Sequence, residues 1–323
     1  MIISRTPLRV SFCGGGTDLD GFACSEPNGG RVVSIAIDKY VYVTLNRRFD
    51  EKIRVSYSEI EKVGSVDEIQ HALVREAMRL TGVESGIEIT TIADIPGRGT
   101  GLGSSSTVTV GLLNALHNLQ GRSPSKEQLA EEACRVEIDI LGAPIGRQDQ
   151  YAASFGGFNS IRFGSAGVKV EPMLINQNLS DEISSKFTLV YTGMTRSASK
   201  VLAAKSSSEE DKLSKLRKIR DQADLAAEMV ESGDLESLGV LLNDAWLTKR
   251  KTSPAVSNQE IDKLYQSIMS MGAKGAKLLG AGSGGFLLVF GESNFREIME
   301  SKLPRENRIL PISIDFSGSE IIH

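Results

Sequence analysis

The run PGRGTGLGSSS (96–106) combines residue types that together can hold an anion. Pro96 opens it. Gly97, Gly99, Gly101 and Gly103 let the backbone approach a ligand, Leu102 is apolar, and Ser104, Ser105 and Ser106 bring three hydroxyls to what reads as a helix start. At such a turn, backbone N–H groups and the positive end of the helix dipole meet a phosphate. The hydroxyls can also reach a magnesium ion. A Walker loop is excluded, because Gly103 is followed by Ser104 where that motif needs lysine. A second glycine run, 280–285 (GAGSGG), has the spacing of a dinucleotide-binding turn. The residues after it, Phe286-Leu287-Leu288-Val289-Phe290, read as a strand where that turn requires a helix. The run is therefore expected to be a strand-to-strand turn touching a ligand or another part of the chain.

The elements that must position these residues follow from periodicity. Residues 31–48 alternate and are rich in Val, Ile and Tyr, so they read as strand, as do 52–57 and 87–92. Helices are expected at 69–81, 105–119 and 126–141, and a hairpin at 158–173. Polar 176–185 is the best candidate boundary, giving domains of 1–178 and 179–323. Beyond it, strand 187–191 precedes three or four amphipathic helices between 197 and 271. Strands at 277–279, 286–290 and 308–314 close the chain, with a helix at 294–303. The pattern is α+β, with strands in both halves.

Composition bounds the function. The 323 residues carry a formal net charge of −4 and no basic stripe, which argues against nucleic acid as a partner. The N-terminus lacks a signal-peptide core, and no apolar run approaches a membrane span, so a cytoplasmic location with no membrane contact is expected. Three cysteines without a CxxC pair read as reduced thiols, and three histidines share no metal spacing. Glu137 and Asp149, each taken alone, read as surface carboxylates.

Three separated motifs change that reading. PGRGTGLGSSS resembles the P-x-x-x-G-L-G-S-S nucleotide loop of the GHMP small-molecule kinases. LLGAGSGGFLLVF (278–290) resembles that family's C-terminal glycine motif, and TPLRVSFCGGGTDLD (6–20) is similar to its galactokinase-like N-terminal signature. The order matches, and the resemblance covers nearly the whole chain. Within the family, P-L-R-x-S-F-x-G-G-G-T-D resembles the heptose 7-phosphate kinase branch. The implied fold is two-domain, with an N-terminal half like ribosomal protein S5 domain 2, a ferredoxin-like C-terminal half, and the active site between them. The implied reaction is ATP-dependent phosphorylation, with ATP and Mg2+ bound.

The resemblance also implies residue roles. Glu137 with Ser105 matches the magnesium site, Asp149 the base facing the acceptor hydroxyl, and Arg9 the cation beside it that stabilises charge on the acceptor oxygen. A weak carboxylate base suits an acidic acceptor such as an anomeric hydroxyl. Asp18 matches a carboxylate that grips sugar hydroxyls, with Thr17 beside it. Where galactokinases carry Glu-His, this chain has Gly15-Gly16, which leaves room for a longer and already phosphorylated sugar. Thr192, Gly193 and Arg196, with Lys249 and Arg250, are candidates for its phosphate. Lys249 and Arg250 read equally well as a solvated helix face. Three alternatives stand beside the heptose reading: a kinase of an unphosphorylated sugar such as fucose, galactose or a uronic acid, an isoprenoid-pathway kinase, and a galactokinase-like sensor without catalysis. The pair Thr17-Asp18 favours a polyol acceptor over the isoprenoid one. Retention of Arg9, Glu137 and Asp149 weighs against the sensor.

Overall fold

The alternation of strand β1 (Ile2–Cys13) sets up both of its faces. Leu8, Val10 and Phe12 point into the core, while Arg9 and Ser11 share the opposite face. The computed structural model describes residues 1–95, 99–194 and 209–323. Strand β2 (Gly30–Arg47) pairs antiparallel with β1, with bulges between Pro7 and Leu8 and between Ser11 and Cys13. Pro7, which cannot donate to a ladder, sits at the first of these. β2 is long enough to pair twice more: its first part with β6 (Phe158–Gly164), its second with β5 (Ile87–Ala93). Strands β3 (Ile53–Ser56), β4 (Ile60–Val63) and β7 (Gly167–Pro172) extend the sheet, and β12 (Glu320–Ile321) adds to β1 from the far end of the chain.

Helices cover one side of this sheet. Asp20–Ala23 forms a single turn, α1, and α2 spans Ala72–Thr81. Helix α3 (Ser104–Leu119) is buried along most of its length and lies close on β1, where the Ser4 hydroxyl donates to Gly111 O at 2.8 Å. Helix α4 (Lys126–Cys134), capped by Ser125, runs into a π-helical turn at Arg135–Ile140 where one continuous helix was expected. Helix α5 (Gln148–Phe155) follows.

The polar stretch read as a boundary folds as helix α6 (Gln177–Lys186), capped by Asn176 and burying Ile183 on its inner face. It leads to a second sheet of β8 (Phe187–Tyr191), β9 (Gly275–Leu278), β10 (Phe286–Phe290) and β11 (Ile309–Pro311), in the order β11-β8-β10-β9 and antiparallel throughout. Helices α7 (Glu209–Ser232), α8 (Leu235–Arg250) and α9 (Gln259–Ser270) connect β8 to β9, and α10 (Phe295–Lys302) connects β10 to β11. This is the ferredoxin-like arrangement.

The two sheets share one hydrophobic core. Leu8, Val10 and Phe12 of β1 pack with Phe187 and Leu189 of β8, Phe290 of β10, and Ala223, Ala226 and Leu238 of the helices. Phe12 stacks on Phe158 at 5.2 Å and meets Phe187 edge-on at 5.1 Å. This seam fixes how residues from the two halves face each other.

Candidate active site

Two glycine loops interlock where the sheets meet. An added Cβ on Gly101 would lie 2.6 Å from Leu279 O, and one on Gly280 would lie 2.5 Å from Gly101 Cα; both residues have positive φ. Only glycine satisfies both demands at once. Phe286 N donates to Thr100 O at 3.1 Å, and Thr192 donates through both its N and its Oγ1 to Gly285 O at 2.9 Å. Thr192 thus holds the second loop in place, together with Met194 O, which accepts from Gly285 N at 2.8 Å; among the described residues, Gly193 between them makes no hydrogen bond to it. Gly103 then caps α3 in the left-handed region, with Ser104, Ser105 and Ser106 in the first turn. The start of α3 offers N–H groups and a dipole end, as expected of an anion site. Pro96, Gly97 and Arg196 lie outside the described residues.

Glu137 sits on the π-helical turn, which carries its side chain inward, as such turns often do at functional sites. Burial raises its pKa, against the pull of the Ser106, Gln150 and Ser105 side chains; Asp149 adds to the rise. Gln150 Nε2 donates to its carboxylate at 2.7 Å.

Asp149, in the first turn of α5, faces Arg9 of β1. Arg9 Nε donates to Asp149 Oδ1 at 2.7 Å, and Arg9 Nη1 donates to Gly101 O at 2.6 Å. Gly103 presses against this pair: a Cβ there would lie 3.2 Å from Asp149 Oδ2 and 3.3 Å from Arg9 Cγ. The ion pair and the start of α3 are therefore in van der Waals reach of each other.

Asp18 is buried beside them. Its Oδ1 accepts from Gly16 N at 2.9 Å, and its Oδ2 from Gln148 N at 3.2 Å and Gln148 Nε2 at 3.0 Å. Burial raises its pKa, Asp149 raises it further, and the backbone donors oppose both. The neighbouring Arg147–Asp20 pair, two bonds of 2.8 Å, ties the same two loops together.

The geometry separates the other expected residues. Thr17 is fully buried, and its hydroxyl is committed to Gly14 O and Arg31 O at 2.8 and 3.0 Å, behind the loop rather than in the pocket. Arg250 turns away to Asp262 at 2.6 Å and the face of Trp246. Lys249 turns inward and donates to Gly280 O. Burial, then Lys277 and Arg9, lower its pKa to about 7, while Asp18 and Asp149 oppose the shift. The solvated-face reading thus fits Arg250's direction but not that of Lys249.

Sequence reasoning missed Lys277, Gln148, Gln150 and Ser11. Lys277 of β9 is buried and donates to Ser11 O at 2.9 Å and Phe12 O at 2.5 Å, joining the second sheet to β1; burial lowers its pKa to about 8. The two glutamines flank Asp149 as Gln-Asp-Gln at a helix start, which was the available signal.

Family models for the GHMP kinases N terminal domain and the GHMP kinases C terminal region match residues 68–157 and 223–306. A D-glycero-alpha-D-manno-heptose 7-phosphate kinase of Campylobacter jejuni is 32% identical over 304 residues, covering 90% of this chain and 89% of that protein. The chain belongs to the GHMP kinase family. A galactokinase of Pyrococcus furiosus is 25% identical over 94% of this chain and 93% of its own length. A D-glycero-D-manno-heptose 1-phosphate kinase from Bacteroides thetaiotaomicron has the same fold, with a TM-score of 0.83 over 100% of this chain and 99% of that one, at 23% identity. This GHMP kinase is an ATP-dependent enzyme. No helix among its described residues is long and apolar enough to cross a membrane.

Proposed function

We propose that this kinase transfers the γ-phosphoryl group of ATP to the anomeric C1 hydroxyl of a sugar, with D-glycero-D-manno-heptose 7-phosphate as acceptor and the 1,7-bisphosphate as product. That product would feed nucleotide-activated heptose synthesis in the cytoplasm. The observation that carries the reading is the Arg9–Asp149 pair at 2.7 Å beneath the start of α3. Asp149 Oδ2 accepts the proton of the attacking hydroxyl, and Arg9 stabilises the charge that develops on its oxygen. Asp18 and Gln148 hold the sugar's other hydroxyls. Residues 1–178 supply the nucleotide loop and the base, and residues 179–323 close the site.

Among the described residues there is no cluster of three or more His, Cys, Asp or Glu to hold a metal. One carboxylate, Glu137, beside the hydroxyls of Ser105 and Ser106 is an oxygen-only set that suits magnesium completing its shell with phosphate oxygens and water. Bound there, the ion would neutralise charge on the nucleotide phosphates. Phosphorylated acceptors are favoured by charge: Lys249 interacts with Arg9 and Lys277 as well as with Asp18 and Asp149, which gathers three cations at this end of the site. The relative 32% identical to this chain is itself named for a heptose 7-phosphate.

A second reading is a kinase of an unphosphorylated sugar. It is favoured by the Lys249 ammonium being already committed to Gly280 O. The test is ATP consumption against a panel of sugars and sugar phosphates. Turnover of the heptose 7-phosphate above its dephosphorylated form supports the first reading. Preference for an unphosphorylated sugar supports the second, and ATP binding without turnover of any member rejects both.

A further inference from the structure

Three consecutive glycines follow β1, and the fold accounts for only two of them. Gly14 has φ +94°, and a Cβ there would overlap Arg31 O at 1.9 Å; Gly16 has φ +101°. Gly15 has neither constraint. Its backbone suits any residue, and a Cβ would meet only Gln148 Nε2 at 3.6 Å, Ser11 Oγ at 3.7 Å and Gln148 Oε1 at 4.0 Å, all ordinary contacts. Nothing in the packing demands glycine, so what a side chain at 15 would exclude is a ligand atom.

The two groups bordering that space are unpaired. Ser11 is 5% exposed, and its Oγ has no hydrogen-bond partner among the described residues; the buried Oε1 of Gln148 has none either. A buried polar atom left without a partner is destabilising, so two facing one small space call for an occupant. Both are held rigidly. Lys277 grips the backbone carbonyls of Ser11 and Phe12, and the Gln148 amide is fixed by its bond to Asp18 Oδ2. That bond uses one N–H of the Gln148 amide and leaves Oε1, which can only accept, without a partner among the described residues.

We infer that Ser11 and Gln148 form a clamp over Gly15 that reads one hydroxyl of the acceptor sugar. The hydroxyl donates to Gln148 Oε1 and accepts from Ser11 Oγ. A phosphate or carboxylate has no proton to offer Gln148 Oε1 and would leave that buried acceptor unpaired, so the clamp favours a neutral polyol segment over an anionic one. The clamp rests on the sugar-kinase reading but not on which sugar is used.

The test uses the full-length enzyme with the best acceptor from the panel and that acceptor's monodeoxy analogues. Ser11→Ala should raise the acceptor KM roughly 3–10-fold, the worth of one neutral hydrogen bond, with the KM for ATP unchanged. For the one analogue lacking the hydroxyl that is read, Ser11→Ala and wild type should be equal. Gly15→Ala should raise the acceptor KM by about tenfold or more. Without sugar, Ser11→Ala should melt no lower than wild type, because the hydroxyl it removes is unpaired. A lower melting temperature with an unchanged acceptor KM, or an equal loss on every analogue, overturns the clamp. If an unphosphorylated sugar proves to be the acceptor, the heptose reading fails and the clamp is judged on that sugar by the same measurements.

Discussion

In the proposed reading the site has a nucleotide side and an acceptor side, and the two are built from different materials. The nucleotide side is made of backbone: Gly101 against Gly280, Thr100 O against Phe286 N, and a helix start capped by Gly103. The acceptor side is made of buried charge: Arg9 on Asp149, Asp18 in a ring of N–H donors, and Lys249 of α8 and Lys277 of β9 reaching in from the second half. Backbone donors bind any nucleotide triphosphate in the same way, whereas side chains can be exchanged to suit an acceptor. Arg9 and Lys249 bridge the two sides, since they donate to Gly101 O and Gly280 O respectively.

That division is broken most severely at Arg9. Arg9→Gln should lower kcat by roughly 10²–10³-fold, the loss seen when one transition-state donor is removed. If the sides are separable, ATP affinity measured by calorimetry should stay within about threefold. An equal loss in both would merge them.

Gly280→Ala attacks the other side. Its positive φ alone costs about 1–3 kcal/mol, and the Gly101 backbone must also move. ATP affinity should fall about tenfold or more, and the melting temperature should drop with it.

Lys249 tests the acceptor side through pH. Its pKa of about 7 means the ammonium is lost as pH rises through that value. With a phosphorylated acceptor, kcat/KM should fall on the alkaline side of about pH 7 in wild type. Lys249→Met should be lower and flat through that range, and a limb that survives in the variant would assign it to another group.

The last effect concerns stability alone. Lys277 titrates near 8 when folded and near its usual value of about 10.4 when unfolded. Between those values the unfolded chain binds the extra proton, so this group's contribution to stability rises with pH across that window and is level below it. The shift is worth on the order of 3 kcal/mol. Thermal melts of wild type and Lys277→Met from pH 7 to 10 should differ in slope with that sign.

The interlocked glycine loops and the start of α3 were legible in the sequence because glycine clusters and serine-rich helix starts are rare residue choices with few uses. Strands β2, β5, β6 and β10 and helix α3 followed from alternation and capping in the same way. The acceptor side was legible only through the resemblance, and then incompletely. Ser11, Gln148 and Lys277 are ordinary residue types, and their roles arise from a bulge in β1, the first turn of α5 and the meeting of two sheets. Thr17 was expected in the pocket because it adjoins Asp18, yet turn geometry sends its hydroxyl to backbone carbonyls. The helix read through Glu137 is broken by a π turn that no residue type announces. The polarity of 176–185 marked a boundary and gave no sign of a helix, because a helix with only Ser180 and Ile183 buried is itself mostly polar.

The most direct test of the central claim is Asp149→Asn, assayed for phosphoryl transfer to the preferred acceptor with ATP affinity measured on the same preparation. Asparagine keeps the shape and removes the base. The account predicts a loss of roughly 10²–10⁴-fold in kcat with ATP affinity unchanged. Turnover equal to wild type would contradict it.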